Sequence, residues 1–236
     1  MVGEHTVASF DQELALIDRL VREMGDLAAE MIEAAIAALL KHDNGLAQRV
    51  ISDDVVMDVK QRDLDHRAIT IIAIRQPMAQ DLREVVGALR MASDLERIGD
   101  LAKNIAKRVS VVGANQIPQN LAHGIHSMSQ LALVQVRRVV EKYIARDASE
   151  LQALRADDKE IDIKYTAVFR ELLTYMMEDP RNISACTHLL FCAKNLERIG
   201  DHVTNIAENA HYIITGKQLS PDRPKADQTV LATKAE

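Results

Sequence analysis

The six residues Leu95-Glu96-Arg97-Ile98-Gly99-Asp100 recur as Leu196-Glu197-Arg198-Ile199-Gly200-Asp201, 101 positions downstream. The identity resumes four residues later, where Asn104-Ile105-Ala106 is matched by Asn205-Ile206-Ala207. A second correspondence lies upstream of the first, with Asp53-Asp54 and Asp58 set against Asp157-Asp158 and Asp162 at an offset of 104. The three-residue difference places a shorter turn in the second copy. Whatever this chain folds into must therefore be built twice from one supersecondary unit.

Hydrophobic periodicity identifies that unit. Apolar positions recur at helical spacing along nearly the whole chain. Pro77, Pro118 and Pro180, with Gly and Asn punctuation, fall where the long periodic stretches end. The expected helices cover residues 6–41, 46–74, 79–112, 120–145, 149–178 and 182–214. Turns this short set neighbouring helices antiparallel. The predicted fold is all-α, two tandem three-helix bundles over residues 6–112 and 118–215, followed by a flexible tail at 216–236 that is polar and without period. Only 3% of the residues are aromatic and none is Trp, so the core relies on Ala, Leu, Ile and Val.

The same composition narrows the function classes. A net charge of −6 and a pI near 5.8, with scarce aromatics, argue against nucleic acid and anionic membrane as partners. A DNA-binding repressor would also need a basic recognition helix, which the sequence does not offer. The longest apolar runs, such as residues 69–74, are far short of a bilayer span, and the first residues lack a signal-peptide pattern. A cytoplasmic protein without direct membrane insertion is expected. Cys186 and Cys192 have no further Cys/His cluster to complete a zinc set, and read as small buried apolar residues.

The chemistry resides in paired acids. Glu96 and Asp100 are four apart and share one helix face, with Asn104 one turn further on. At 100° per residue, Met91, Leu95, Ile98, Ala102, Ile105 and Val109 form one apolar stripe, and the acidic edge points away from it toward solvent or another body. Asp54 and Asp58 have the same spacing on the preceding helix. Antiparallel packing would bring these four together, and Asp158, Asp162, Glu197 and Asp201 repeat the pattern. Like charges at such spacing cost about 0.2–0.5 kcal/mol per pair, so a compensating cation is one reading. An all-oxygen set suits Mg²⁺, Mn²⁺ or iron. The other reading is a solvated face with local salt bridges, Arg97 reaching Asp94 or Asp100 and Arg198 reaching Asp201.

Gly99 and Gly200 sit mid-helix at a cost of about 1 kcal/mol each relative to Ala, which fits either close approach by another group or a plain gap. Arg83, Arg90 and Arg97 recur every seven residues along one flank. Because Ser184 and Phe191 replace the first two in the second copy, a solvated basic edge is the better reading. Asp63-Leu64-Asp65-His66 is one isolated carboxylate-x-x-His, too little for a di-iron oxidase bundle. No nucleophile elbow, phosphate loop or Cys/His nucleophile arrangement occurs. No catalytic or cofactor-binding residue is expected; a carboxylate-bridged metal enzyme, phosphohydrolase or oxidase, is the alternative.

The duplicated helix, the acidic pair on the helix before it, the segment 41–54, Arg75-Gln76-Pro77 with Asp81-Leu82-Arg83, and the segment 173–179 together resemble the PhoU family over about residues 7–215. The resemblance implies a negative regulator of the phosphate-starvation response. Such a regulator relays the state of a phosphate ABC transporter ATPase to a sensor histidine kinase, and a homodimer is expected. It also implies metal binding through Asp54/Asp58 with Glu96/Asp100 and through Asp158/Asp162 with Glu197/Asp201. The second copy departs from the first at Asn195, which stands where the first has Asp94, and a second site that is weaker or differently shaped is the expected consequence.

Overall fold

The fold is seen in a computed structural model that describes residues 2–112 and 117–219, with the backbone alone at residues 2–9. Six α-helices follow one another: α1 (Val2–Lys41), α2 (Asn44–Arg75), α3 (Gln80–Ala106), α4 (Gln119–Ile144), α5 (Leu151–Glu178) and α6 (Ile183–Thr215). The described residues contain no β-strand. The expected all-α fold is therefore found, and it is built twice. In the first half α1, α2 and α3 pack on one another, and in the second α4, α5 and α6 do the same.

The halves meet through α1 against α4 and α3 against α6. Those four helices form the middle of the molecule, and most of their buried apolar side chains belong to one connected cluster that runs through both halves. Among the described residues, α2 touches only α1 and α3, and α5 reaches no helix of the first half. Their sequences agree with an outer position. The buried residues of α2 are Ala47, Val50, Asp54, Met57, Leu64, Ala68 and Ile71, a narrow seam at steps of three, four or seven residues. Helix α3 instead buries residues on several faces, as a helix between three neighbours must. The stripe Met91, Leu95, Ile98, Ala102, Ile105 and Val109 is fully buried, as its spacing predicts. Gly87 lets α6 close in on α3, since a Cβ at residue 87 would lie 2.3 Å from Ile213 Cγ1.

Local hydrogen bonds set the helix ends. Asp43 caps α2 by accepting from the Leu46 amide at 2.9 Å, so the helix starts at Asn44, ahead of the expected 46. Gln76 closes it in the left-handed region, with φ 48°. Asp147 accepts from the Ser149 amide at 2.9 Å, which holds residues 147–149 in a turn and delays α5 to Leu151. A single 3-10 turn, Pro180–Asn182, leads into α6. Helix α3 ends at Ala106 rather than at the expected 112. The chain then tightens into turns in which Arg108 donates to the Ile105 carbonyl at 3.0 Å and Val109 to Ala106 at 3.1 Å. Val109 and Val112 stay buried, so the apolar period outlasts the helix. Gly216 ends α6 with φ 72°; of the expected tail, residues 220–236 lie outside the described residues.

Candidate functional site

The first acidic group lies between α2 and α3. Asp54 occupies a position in the apolar seam of α2 and is only 7% exposed. Lys103, three residues beyond Asp100 and on the same flank of α3, reaches into this gap. Its Nζ lies 2.7 Å from Asp54 Oδ2 and 2.7 Å from Asp100 Oδ1. Asn104 Nδ2 donates to the other oxygen of Asp100 at 3.2 Å. Glu96 and Asp58 are half-buried beside them.

Electrostatics agree with the grouping. Burial pushes the Glu96 carboxyl up. Arg97 opposes this, and the charges of Asp100, Asp58 and Asp54 reinforce it. The α2–α3 contact thus brings all four first-half carboxylates into one neighbourhood. Burial would also raise Asp100, but the hydrogen bond and charge of Lys103, with Asn104 and Lys107, hold it below the usual carboxylate range. Lys103 is burdened by burial in the same way, yet its bonds to Asp100 and Asp54 keep it an ammonium.

The second group lies between α5 and α6 and is more deeply enclosed. Asp158 is 5% exposed, Asp162 4% and Glu197 4%, with Asp201 half-buried. Lys194 Nζ binds Glu197 Oε1 at 2.8 Å and lies 5.0 Å above the centre of the Tyr165 ring. Burial pushes the Glu197 carboxyl up. Lys194 opposes this, while Asp201 and Asp162 add to it. Among the described residues, Glu197 Oε2 is buried without a hydrogen-bond partner. Asp158 packs on Gly200, and a Cβ there would come 2.4 Å from Asp158 Oδ1.

Of the two expected surroundings of the acidic edge, solvent or another body, the structure gives the second, a neighbouring helix. The edge does point away from its own helix's apolar stripe, but α2 covers it in the first half and α5 in the second. Asp54, Asp158, Asp162 and Glu197 are consequently buried. Arg97 pairs with Glu96 at 3.5 Å, not with Asp94 or Asp100. Asp94 instead accepts from Asn205 Nδ2 at 3.3 Å and pairs with His202 Nδ1 at 2.9 Å. The Asp94/Asn195 difference between the copies therefore belongs to the seam between halves, and Asn205 faces that seam. Gly200 provides close approach by a carboxylate, whereas a Cβ at Gly99 would have as its nearest neighbours Met57 and Met31 at ordinary contact distances. Arg83 does not stay on a solvated edge: its Nε donates to the Ile213 carbonyl at 3.3 Å, and the guanidinium covers the Tyr212 ring. Cys186 and Cys192 are buried as expected, and burial lifts the Cys192 thiol to about 12.

The sequence reading missed the two lysines. The signal was available for Lys103, since a lysine three residues after an acid shares its helix face. Lys103 corresponds to Thr204 in the second copy, and Lys194 to Ser93 in the first. Each half thus supplies its ammonium from a non-equivalent position.

The donor chemistry fits a hard cation. All eight carboxylates are oxygen donors, half of them buried, and in the first half an ammonium already stands between two of them. Among the described residues no three His, Cys, Asp or Glu side chains are arranged around a point where an ion could sit as the side chains stand. In the first half the space between Asp54 and Asp100 is held by the Lys103 ammonium.

Comparison with known proteins decides the family. The PhoU domain profile matches residues 21–109 and again 125–210, one match to each half. The chain belongs to the PhoU family. It is 53% identical over 229 residues to the phosphate-specific transport system accessory protein PhoU homolog of Rhizobium meliloti (strain 1021), covering 97% of both chains. It is 46% identical over 224 residues to the protein of that name from Caulobacter vibrioides (strain NA1000 / CB15N), covering 95% of this chain and 97% of the relative. Two crystal structures share the PhoU fold. That of PhoU from Pseudomonas aeruginosa matches with a TM-score of 0.84 at 34% identity, covering 88% of this chain and 100% of the other. That of the phosphate transport system regulatory protein PhoU from Streptococcus pneumoniae gives 0.82 at 29%, covering 89% and 99%.

Proposed function

We propose that this PhoU-family chain is a non-catalytic regulator of phosphate uptake, working in the cytoplasm as an adaptor between a phosphate ABC transporter ATPase and a sensor histidine kinase. The observation that carries this reading is the end-to-end match to a relative named as an accessory protein of phosphate-specific transport. No helix among the described residues is long and apolar enough to cross a membrane, so contact with the transporter would be made through its non-membrane parts. The site geometry agrees with a binding role. The carboxylates of both halves face packed helices and lysines, Asp54 and Asp100 sharing Lys103, rather than an open cleft where a substrate would meet a base.

In this reading Asp54, Asp58, Glu96 and Asp100 would hold one Mg²⁺, Mn²⁺ or iron ion, and Asp158, Asp162, Glu197 and Asp201 another. Bound metal supplies positive charge that ties α2 to α3 and α5 to α6. Two copies of the chain would pair in a homodimer. A reporter for phosphate-starvation genes in a strain lacking this protein tests the regulatory role. The reporter should stay on in phosphate-rich medium and return to repression when the wild-type chain is supplied. Normal repression without the protein would refute the role. Metal binding is tested separately by melting curves, which should rise with ion concentration in the wild type and not in a protein carrying Asp100→Ala and Asp201→Ala.

A further inference from the structure

We infer that the α2–α3 turn and the start of α1 form a docking site for a protein segment that places a lysine or arginine beside an apolar side chain. The partner that carries this segment is the transporter ATPase, and in this the inference rests on the adaptor reading above.

Three observations carry it. First, apolar surface gathers at this end of the first half, with Ile74 69% exposed, Met78 80% and Leu82 38%. Met78 also lines a cavity of about 390 Å³, together with Phe10, Pro77, Asp11, Arg75 and Asp81. Met78, Phe10 and Pro77 offer apolar contact to the stem of an entering side chain, and the methionine can adapt its shape to it. Second, the cavity has a negative balance. The Arg75 guanidinium is engaged by Glu13, at 3.1 Å through Nε and 3.0 Å through Nη2. Among the described residues, neither Asp11 nor Asp81 takes part in an ion pair. Asp81 lies in the first turn of α3, where the helix dipole favours its ionised form. Two carboxylates beside apolar walls match a cationic head on an apolar stem, which is the chemistry of lysine and arginine. Third, the duplication separates what the helix connection needs from what this turn has acquired. Gln76 and Ala79 hold positive φ, 48° and 49°, a strained conformation for residues with a side chain. The second half joins α5 to α6 with no such residue, through the 3-10 turn Pro180–Asn182. Its acid is also satisfied locally, Asp179 pairing with Arg181 at 2.8 Å. A strained turn with uncompensated acids is therefore not required to connect two helices of this fold.

The test is binding of the full chain to the purified transporter ATPase, followed by biolayer interferometry at low and high salt. The double variant Asp11→Asn, Asp81→Asn should bind about tenfold more weakly or worse, and should lose most of the salt dependence. Met78→Ser should weaken binding by a similar factor. Met177→Ser removes a side chain of nearly equal exposure, 78%, from α5 in the other half, and should leave binding unchanged. Melting curves qualify each variant as folded. Binding at the wild-type level by either the double variant or Met78→Ser would overturn the docking site and leave the adaptor reading standing. An equal loss in Met177→Ser would overturn it as well, since any exposed apolar side chain would then serve. No binding of the wild type to the ATPase would overturn the adaptor reading and this inference with it.

Discussion

Asp94 of α3 and His202 of α6 join the two halves of the molecule, His202 Nδ1 lying 2.9 Å from Asp94 Oδ1. The same oxygen accepts from Asn205. Both side chains of the His202–Asp94 pair are mostly shielded, at 19% and 15% exposure. The duplication has been broken where the copies touch: His202 corresponds to Leu101, and Asp94 to Asn195. Replacing Asp94 with Ala leaves two polar partners without their acceptor, at an expected cost of about 1–3 kcal/mol. Urea denaturation should register this loss. Asn195→Ala, which lies outside this bonded set, should cost less, and equal losses would show that the cross-half bonds carry no special weight.

The two motif glycines should respond differently to alanine. At Gly99 an added methyl group meets Met57 and Met31 at 3.4–3.5 Å, ordinary contact. Gly99→Ala should therefore be neutral or gain up to about 1 kcal/mol from helix propensity. At Gly200 the methyl group would fall 2.4 Å from Asp158 Oδ1 and 3.1 Å from Ile161 Cδ1. Gly200→Ala should cost about 1–3 kcal/mol as overpacking. Melting temperatures of the two variants give the comparison, and shifts of the same sign would contradict it.

What the sequence made legible, and what it hid, follows from the same contacts. The repeat is explicit in the order of residues, and the stripe from Met91 to Ile105 is a property of one helix, so both read correctly. The burial of Asp54 depends on α2 lying over α3, which the periodicity of α3 alone does not show. A trace of it was present: Asp54 falls in the three–four sequence of apolar seam positions between Val50 and Met57, where an acid is out of place. Asp158 stands between Leu154 and Ile161 in the same way. The early end of α3 was hidden because Val109 and Val112 continue the apolar period through turns. The cross-half role of Asp94 was hidden because a lone residue difference between copies does not reveal which partner it faces.

The turn before α5 should give the chain an acid-sensitive contribution to stability. Lys142 and the Ser149 side chain and amide hold the Asp147 carboxyl far below its usual range. Arg138 and Lys142 lower Glu150 in the same way. Where the folded state keeps Asp147 ionised and the unfolded chain protonates it, the unfolded state binds more protons. The stabilisation is then present above the ordinary carboxylate pKa, about 4, and is lost as pH falls below it. Asp147→Asn should lower the melting temperature slightly at neutral pH, and the gap should close progressively below about pH 4. Because Asp147 lies at the surface, added salt should narrow the gap as well. A gap that stays constant from pH 7 to pH 3 would mean that the carboxylate charge is not its source.

The close approach of α3 and α6 at Gly87 predicts a coupled pair of substitutions. A Cβ on residue 87 would stand 2.3 Å from Ile213 Cγ1 and 2.4 Å from Cδ1, while the Ile213 Cβ is 3.8 Å away. Gly87→Ala should therefore cost about 1–3 kcal/mol, because the buried Ile213 has little room to yield. Ile213→Ala alone removes both offending carbons but leaves a cavity between α3 and α6, at about 2–5 kcal/mol. In the double variant the new methyl group on residue 87 enters the space that the isoleucine vacated. The clash disappears and part of the cavity is filled, so the combined loss should fall short of the sum by about 0.5–3 kcal/mol. Urea denaturation of the four proteins closes the cycle. Additivity within about 0.5 kcal/mol would mean that α3 and α6 separate to absorb each change independently, and that Gly87 does not set their spacing.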